Sequence, residues 1–508
     1  MKTDTPVVDT THGPVRGVDD GQTASWKGIP YAAAPVGELR FRAPQPPPRW
    51  TEVFEARRYG NVCPQPPIPN FPLDLGGPQD EDCLRLNVWA PSGTRAGDAK
   101  PVLVWLHGGA YVLGSGSQAL YHGRRLSSTG DVVVVTLNYR LGVFGFLTPT
   151  GPGGQFDTNV GLRDVLAALR WVAANIAAFG GDPDRVTLFG ESAGAGIVTT
   201  LLAVPQAAGL FANAIAQSSP ATSVYDPDRA ERVTHEVLDH LGIDHADAKR
   251  LREVDVPALI SATKKVFDEV PVRNPGTLAF VPIVDGDLLP DYPVCAARDG
   301  RTHPVPLIIG TNRNEAALFR LMRSPLMPIT PRAITSMFTE IAAEQPDLQL
   351  PTEQQLGASY PGRARGLNIA SDVGFRMPTV WLAEGHSRVA PVYLYRFDFS
   401  TPIMKLLLVR AAHATELPYV WGTLGAPRDV TLKLGGAKAA KGVSRRIRTR
   451  WVNFAANSKP NGPPGEPEWT PYQEADRACL VIDRADRIVY DADAEIRAVW
   501  GGDVVHFG

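Results

Sequence analysis

The sequence contains few cysteines, and their spacing argues against a metal site. There are four in 508 residues, at positions 63, 83, 295 and 479. No Cys-x-x-Cys pair occurs and no histidine lies at the spacing of a zinc site, so a bound metal has no support. Cys63 and Cys83 could form a disulfide that closes a loop of about 20 residues. In a reducing cytosol they would more often stay free thiols, and both states remain open.

The sequence also lacks a long apolar run and an excess of charge of one sign. No segment approaches the roughly 18 consecutive apolar residues of a membrane-spanning helix. The 51 basic and 53 acidic residues give a formal net charge of −2, which provides no general attraction to nucleic acid or anionic lipid. Residues 1–5 include an acid and no apolar segment typical of a secretory signal. We therefore expect a cytoplasmic protein without a nucleic-acid or membrane partner.

One local concentration of basic residues lies in a segment with helical periodicity. The apolar Ile447 and Trp451 are four residues apart there, as on the buried side of a helix. A solvated helix face is the more common explanation of such a cluster, and a binding patch is the alternative. We predict the solvated face for these basic residues, which are Lys441, Arg445, Arg446, Arg448 and Arg450.

Runs of β-branched and apolar residues predict a buried sheet. Residues 102–106, 131–137 and 185–189 are typical of strands covered on both faces. Apolar residues at helical spacing over 161–178 predict a helix before the third strand, and strand–helix–strand order is typical of a parallel sheet. We predict one large α/β domain over residues 1–508, with a mostly parallel central sheet flanked by helices. Further strands are expected at 214–216, 306–309 and 392–397, a helix at 228–241 and a proline-rich surface loop at 63–77.

A serine flanked by glycines follows the third predicted strand. In Phe189-Gly190-Glu191-Ser192-Ala193-Gly194 the strand ends and a helix is expected to begin near Ala195. A serine at such a junction is held above the sheet edge, and the glycines allow other segments to pass closely. This context favours a nucleophile over an incidental turn. A serine hydroxyl still needs a base to take its proton.

A second glycine-rich turn, His107-Gly108-Gly109-Ala110, follows the first predicted strand. The backbone N–H groups of Gly108 and Gly109, with that of Ala193, could stabilise negative charge on a substrate carbonyl oxygen. A plain glycine turn is the alternative. We expect His107 to be structural, because a residue fixed beside these donors is poorly placed to be the base.

Motifs along nearly the whole chain resemble the type-B carboxylesterase family, the cholinesterase-like branch of the α/β-hydrolases. The segment from Gly190 to Gly194 is one of them, and the others occur in the family's order. This resemblance implies the α/β-hydrolase fold, with loop and helical excursions around an active-site gorge. The other motifs are WKGIPY at 26–31, PVGELRFRAP at 35–44, EDCLRLNV at 81–88, NYRLGVFGF at 138–146, FGGDP at 179–183, PIVDG at 282–286, GTNRNE at 310–315 and HATELPYVWG at 413–422.

Carried over residue by residue, the resemblance implies a catalytic triad. Ser192 would be the nucleophile, Glu315 the acid and His413 the base, and the order Ser, acid, His along the chain is that of α/β-hydrolases. The oxyanion hole would consist of the N–H groups named above.

The resemblance also implies structural roles for residues near the triad. Ser218 matches a position that often supports the triad, and an ordinary hydroxyl at a strand end is an equal alternative. We expect Glu191 to point into the scaffold and Glu416 to be structural. Two ion pairs that brace the surrounding loops are implied as well, Arg40 with Glu81 and Arg140 with Asp164.

The activity that this resemblance implies is hydrolysis of uncharged carboxylic esters through an acyl-enzyme, without cofactor or metal. The substrate would be a small molecule and the enzyme a monomer or weak homo-oligomer. A non-catalytic adhesion protein of the same fold is a rival, but such proteins lose the nucleophile. A carbamate, lactone, polyester or amide substrate is a second rival. Ser219 stands where the family usually has glycine, and the other pocket candidates are Tyr111, Phe319, Met404 and residues 406–408.

Overall fold

The segments rich in β-branched residues form the central sheet of the computed structural model. The structure describes residues 7–68, 73–149, 156–425 and 431–502. Within these ranges eleven strands form one sheet, and three short strands, β1, β2 and β5, form a second. The strands are β1 (Val7–Asp9), β2 (Pro14–Arg16), β3 (Val18–Asp19), β4 (Thr23–Pro30), β5 (Phe54–Glu55), β6 (Arg85–Pro91), β7 (Lys100–Leu106), β8 (Val133–Leu137), β9 (Gly181–Glu191), β10 (Asn213–Gln217), β11 (Leu307–Asn312), β12 (Val392–Phe397), β13 (Ala478–Ile482) and β14 (Arg487–Tyr490).

The large sheet is mostly parallel, as predicted. Its strand order is β14-β13-β12-β11-β10-β9-β7-β8-β6-β4-β3. Each neighbouring pair from β13 to β8 in that order is parallel. Antiparallel pairs add β14 at one edge and β6, β4 and β3 at the other. The long parallel part places the carboxyl ends of its strands along a single edge.

The helices and the sheet enclose two apolar cores. Along β7, Val102, Val104 and Leu106 belong to one core, and Leu103 and Trp105 belong to the other, because successive strand residues face opposite sides. The helices are α1 (Arg124–Gly130), α2 (Gly142–Phe146), α3 (Val160–Asn175), α4 (Ala193–Leu201), α5 (Pro227–Leu241), α6 (Val256–Arg273), α7 (Pro293–Arg298), α8 (Ala316–Met322), α9 (Pro331–Glu344), α10 (Glu353–Ser359), α11 (Arg365–Ser371), α12 (Met377–His386), α13 (Pro402–Leu406), α14 (Leu417–Trp421), α15 (Ala437–Asn457) and α16 (Ala494–Trp500).

The predicted elements occur where the sequence indicated them, although some bounds differ. The strand β9 is longer than predicted, β8 begins two residues later and β12 has the predicted bounds. The helix expected over 161–178 is α3 followed by a 3-10 turn, and the helix expected over 228–241 is α5. None of the helices in the described ranges is both long and apolar enough to cross a membrane. The proline-rich segment 63–77 contains no helix or strand in its described part, and residues 69–72 within it and residues 1–5 lie outside the described ranges.

The basic cluster on α15 corrects one prediction. Arg446 and Arg450 are buried, and both face Asp486, at 3.0 Å from Arg446 Nη2 to Oδ1 and 3.5 Å from Arg450 Nε to Oδ2. The two arginines can be buried because Asp486, in the turn between β13 and β14, supplies a buried counter-charge. The solvated-face prediction is therefore wrong for these two residues, although Lys441 and Arg445 are exposed.

Cys63 and Cys83 are both buried free thiols in this structure. The Sγ atom of Cys63 accepts a hydrogen bond from the backbone N–H of Leu141 at 3.3 Å. A hydrogen bond with Cys63, together with burial, raises the pKa of Cys83.

Candidate active site

Four neighbouring parallel strands bring the predicted site residues to one edge of the sheet. Leu106 at the end of β7 pairs with Gly190 of β9, and Gly190 pairs with Ala216 of β10. Gln217 in turn pairs with Gly310 of β11. The segments that leave this edge are therefore adjacent, although they are far apart in sequence.

Ser192 occupies a strained turn between β9 and α4. Its backbone angles are φ 55° and ψ −127°, and its N–H donates to the carbonyl oxygen of Gln217 at 2.9 Å. A Cβ at Gly190 would lie 2.6 Å from the carbonyl carbon of Gly194, and a Cβ at Gly194 would overlap the carbonyl oxygen of Leu106. Both flanking glycines are therefore required by close packing. A non-glycine residue at positive φ is costly, and such strain concentrates at functional sites.

The glycine turn after β7 lies directly against Ser192. A Cβ at Gly108 would come within 3.0 Å of the Ser192 Cβ, so only glycine lets the backbone approach this closely. In the described part of the chain, the N–H groups of Gly108, Gly109 and Ala193 are not used in backbone hydrogen bonds. Ala193 is the first residue of α4, where N–H groups have no partner within the helix. The glycine turn and the first residue of α4 therefore present free N–H donors beside the serine.

Glu315 and His413 form a buried hydrogen-bonded pair. The Nδ1 atom of His413 lies 2.7 Å from Oε2 of Glu315. The other carboxyl oxygen, Oε1, accepts the hydroxyl of Ser218 at 2.7 Å and the backbone N–H of Asn312 at 2.6 Å. These bonds fix the carboxylate, and Nε2 is the imidazole nitrogen that is not bonded to Glu315. Of the two explanations for Ser218, the structure favours support of Glu315.

Glu191 does not point into the scaffold as expected. Its Oε1 lies 3.2 Å from Nε2 of His413, so its carboxyl group faces the imidazole. Burial raises the pKa of Glu191 to about 8. Burial also opposes a charge on His413, but the carboxyl groups of Glu191 and Glu315 outweigh it and raise the pKa of His413 to about 9. The position next to Ser192 was the only sequence signal for this contact.

Glu416 is held in a network of neutral side chains. Its two oxygens accept hydrogen bonds from the amides of Gln217 and Asn312. The Gln217 amide oxygen accepts in turn from Trp451 Nε1 at 3.2 Å. Burial raises the pKa of Glu416. This carboxyl group is thus anchored to the scaffold behind the Glu315–His413 pair.

Two phenylalanine rings cover the imidazole. The ring centroids of Phe375 and Phe319 lie 4.6 Å and 5.3 Å from that of His413. The sequence singled out Phe319 but missed Phe375, which lies in a π-helical turn (Asp372–Arg376) without any local signal of its position. The two rings form the apolar part of the surroundings of His413, and the carboxyl groups of Glu191 and Glu315 form the polar part.

The other pocket candidates lie in different environments. Tyr111 is fully buried, and its hydroxyl has no hydrogen-bond partner among the described residues. The hydroxyls of Ser219 and Thr199 are 2.9 Å apart. Met404 is partly buried against an apolar cluster, whereas residues 406–408 are exposed on the surface. The structure therefore does not place residues 406–408 in an enclosed pocket.

The two ion pairs implied by the resemblance are present. Arg140 Nε and Nη2 bond both oxygens of Asp164, at 2.8 Å and 2.6 Å, and both side chains are buried. Arg40 Nε bonds Oε1 of Glu81 at 2.8 Å, and its Nη1 also donates to backbone carbonyl groups of residues 252 and 254. These arginines tie loops from distant parts of the chain together.

His107 has the environment of a structural residue, as expected. It is fully buried, and its ring stacks on Tyr139 with centroids 4.5 Å apart. Burial lowers its pKa to about 4. Its Nδ1 lies 2.9 Å from the carbonyl oxygen of Gly108, which helps to hold the glycine turn in place.

Comparisons with known proteins agree with this fold. Residues 4–497 match the model of the carboxylesterase family. The chain is 38% identical to the para-nitrobenzyl esterase of Bacillus subtilis over 498 residues, which cover 97% of each chain. A solved PNB esterase structure superposes with a TM-score of 0.85 at 36% identity, covering 98% of this chain and all of the other. A carboxylesterase of Geobacillus stearothermophilus superposes with a TM-score of 0.83 at 36% identity, covering 97% and 100% of the two chains. The chain therefore belongs to the carboxylesterase family, a family of carboxylic ester hydrolases with the α/β-hydrolase fold.

Proposed function

We propose that this protein is a serine esterase that hydrolyses uncharged carboxylic esters through an acyl-enzyme. Ser192 is the nucleophile, His413 the general base and Glu315 the acid that orients it. Gly108, Gly109 and Ala193 supply the oxyanion hole through their backbone N–H groups. We further propose that residues 1–508 act as one unit, since a single family model spans residues 4–497.

In the first half of the reaction, the Oγ atom of Ser192 attacks the carbonyl carbon of the ester. His413 takes the hydroxyl proton at Nε2, and the free N–H donors stabilise the negative charge on the carbonyl oxygen. The tetrahedral intermediate then collapses, and His413 returns the proton to the leaving alcohol. Glu315 keeps the imidazole in the required tautomer and stabilises the imidazolium.

In the second half, water attacks the acyl-enzyme by the same steps. His413 takes a proton from the water and gives it to Ser192 Oγ as the carboxylic acid leaves. The rings of Phe319 and Phe375 provide an apolar surface beside the imidazole, and this surface favours an uncharged ester substrate. Tyr111, Ser219 and Met404 are the remaining proposed contacts of the substrate pocket.

One observation carries this proposal: the 2.7 Å bond between Glu315 and His413 lies at the sheet edge where the strained Ser192 turn meets the glycine turn. A non-catalytic adhesion protein would not need this bond, the strained serine and the unpaired N–H donors together. The name of the Bacillus relative, an esterase, also supports ester hydrolysis.

Ser192→Ala tests the nucleophile. We expect kcat for a nitrophenyl ester to fall about a million-fold, as in another serine hydrolase whose coupled nucleophile was removed. The melting temperature should change little, because Oγ is lost without burying a new group. Ser359→Ala, at an exposed position at the end of α10, is the matched control and should keep full activity. Retention of more than about a tenth of kcat in Ser192→Ala would refute the assignment.

A further inference from the structure

Exposed apolar side chains are concentrated on the segments that follow Glu315 and precede His413, and at the end of α6. Among the described residues ten large hydrophobic side chains are exposed, and six of them lie on α8, at the end of α13 and in the loop after it, or at the end of α6. Leu406 is 70% exposed and Leu321 is 59% exposed. Where exposed apolar side chains form one surface, that surface is a candidate ligand or partner site. The six are Val272, Leu321, Met322, Leu406, Leu407 and Leu408.

The segments around α8 and α13 pack against each other beneath these side chains. Ala317 and Leu318 of α8 share a small apolar cluster with Met404 and Val409. The exposed leucines of the two segments therefore belong to one surface rather than to two separate loops.

The same segments carry basic residues and no acidic residue. Residues 316–339 and 399–415 contain no Asp or Glu. The chain as a whole has a formal net charge of −2, so this local excess of positive charge does not follow from the composition. A negatively charged group would be attracted to this surface. The basic residues are Arg320, Arg323, Arg332, Lys405 and Arg410.

A surface cavity of about 760 Å³ lies among the end of α6, the loop after α8 and the start of α9. Its size is typical of small-molecule sites, which range over about 300 to 1,000 Å³. No acidic residue lines it, and its wall combines prolines and aliphatic side chains with the hydroxyl groups of Ser324, Thr330 and Ser336. We name it the arginine cavity, and its lining includes Arg273, Arg320, Arg323, Arg332, Met327 and Ile329.

The four arginines of the cavity differ in their partners. Arg273 is paired with Glu236, and Arg320 donates to the carbonyl oxygen of Leu408 at 3.5 Å. Neither Arg323 nor Arg332 makes a side-chain hydrogen bond or ion pair within the described ranges. Their guanidinium groups are therefore available to a ligand.

The apolar wall of the arginine cavity is continuous with the surroundings of the imidazole. Met327 and Ile329 belong to the same apolar cluster as Phe319 and Phe375. Those two rings are the ones that lie against His413. The cavity and the proposed active site thus share one wall.

We propose that the arginine cavity binds a single-chain amphiphile with an acidic head group, such as an alkyl carboxylate. Arg323 and Arg332 hold the head group, because a guanidinium donates charge-assisted hydrogen bonds to a carboxylate. The alkyl chain covers the exposed leucines beside the cavity. The proposal concerns binding alone, so it holds whether or not Ser192 is the nucleophile.

Equilibrium binding of decanoate and 1-decanol tests the proposal. The two ligands have the same chain and differ in head-group charge, and both are titrated into the wild type and Arg323→Gln/Arg332→Gln. We expect decanoate affinity to fall about tenfold in the double variant, since each exposed ion pair contributes up to about fivefold. Decanol affinity should change less than about twofold, and added salt should weaken only decanoate binding.

The matched control is Arg58→Gln/Arg445→Gln, which removes two positive charges from exposed arginines outside the cavity. It should bind decanoate as the wild type does. An equal loss of decanoate affinity in both double variants would show that the effect comes from net charge alone, and it would overturn the proposal. So would unchanged decanoate affinity in the cavity variant. Capture by phosphatidylglycerol vesicles without binding of monomeric decanoate would overturn it in favour of a membrane surface.

Discussion

The Arg140–Asp164 pair and the carboxyl groups around His413 are similarly buried, yet their charges are balanced in different ways. Asp164 faces a guanidinium that bonds both of its oxygens and stays cationic at every accessible pH. The second region has three buried carboxyl groups and a single imidazole that can gain or lose a proton. Its carboxyl groups belong to Glu191, Glu315 and Glu416.

The difference shows how the same burial can produce either rigidity or titration. In the bidentate pair the guanidinium keeps its charge and holds the carboxylate, which fixes two loops even though burial raises the pKa of Asp164. With an excess of carboxyl groups, burial raises the pKa of Glu191 to about 8, and the carboxyl groups raise that of His413 to about 9. Groups that titrate near the working pH are suited to proton transfer. The comparison therefore predicts loss of stability in the first region and loss of turnover in the second.

Glu315→Gln should have the largest effect, on turnover. The amide can favour the wrong tautomer of His413 and cannot stabilise the imidazolium, which in a related triad lowers turnover by about four orders of magnitude. We expect kcat to fall by about that factor while KM and the melting temperature change little. Glu416→Gln is the matched control, since that carboxyl group is equally buried but bonded to amides. Near-normal kcat in Glu315→Gln would contradict its assignment as the acid.

Asp164→Asn should have its main effect on stability, because it removes one charge of the buried Arg140–Asp164 pair. It leaves Arg140 buried without a counter-charge, which typically costs about 3 to 5 kcal/mol. The free energy of unfolding in urea should fall by that amount, while the folded fraction keeps its kcat. Removing both charges, in Arg140→Gln/Asp164→Asn, should recover part of the loss. Unchanged stability with reduced kcat would assign Asp164 to the chemistry instead.

Glu191→Gln should have the smallest effect, which is a shift in the pH dependence of kcat/KM. His413 acts as a base only when neutral, so kcat/KM falls as the pH drops below its pKa. The Glu191 carboxylate favours the imidazolium and raises that pKa, so its removal should move the acidic limb of the profile to lower pH, by about one unit. Glu416→Gln should move it less. An unmoved limb, or one moved to higher pH, would show that Glu191 does not act on His413.

Much of the fold was predictable because the strands carry their own signal. Runs such as 102–106 are apolar on both faces, which only a strand covered on both sides tolerates, and β7 begins two residues earlier. Ser192 was predictable for a similar reason, since a strand, a tight turn and a helix are consecutive in the sequence. The positions of Glu315 and His413 came from the family resemblance, because nothing local distinguishes them from other acids and histidines.

Two of the mistaken predictions depend on contacts between distant segments. Burial of Arg446 and Arg450 requires Asp486, which lies 36 residues beyond Arg450 and supplies their counter-charge. The direction of the Glu191 side chain depends on His413, more than two hundred residues away. Periodicity reports which face a residue occupies, whereas these contacts are decided only when the elements pack.

Trapping the acyl-enzyme tests the central proposal most directly. Enzyme mixed with excess 4-nitrophenyl acetate and quenched in acid during the initial burst should gain the mass of one acetyl group per chain. Fragmentation should assign that group to Ser192, and Glu315→Gln should accumulate it far more slowly. An acetyl group on another residue, or steady turnover with no covalent adduct at any quench time, would contradict the account.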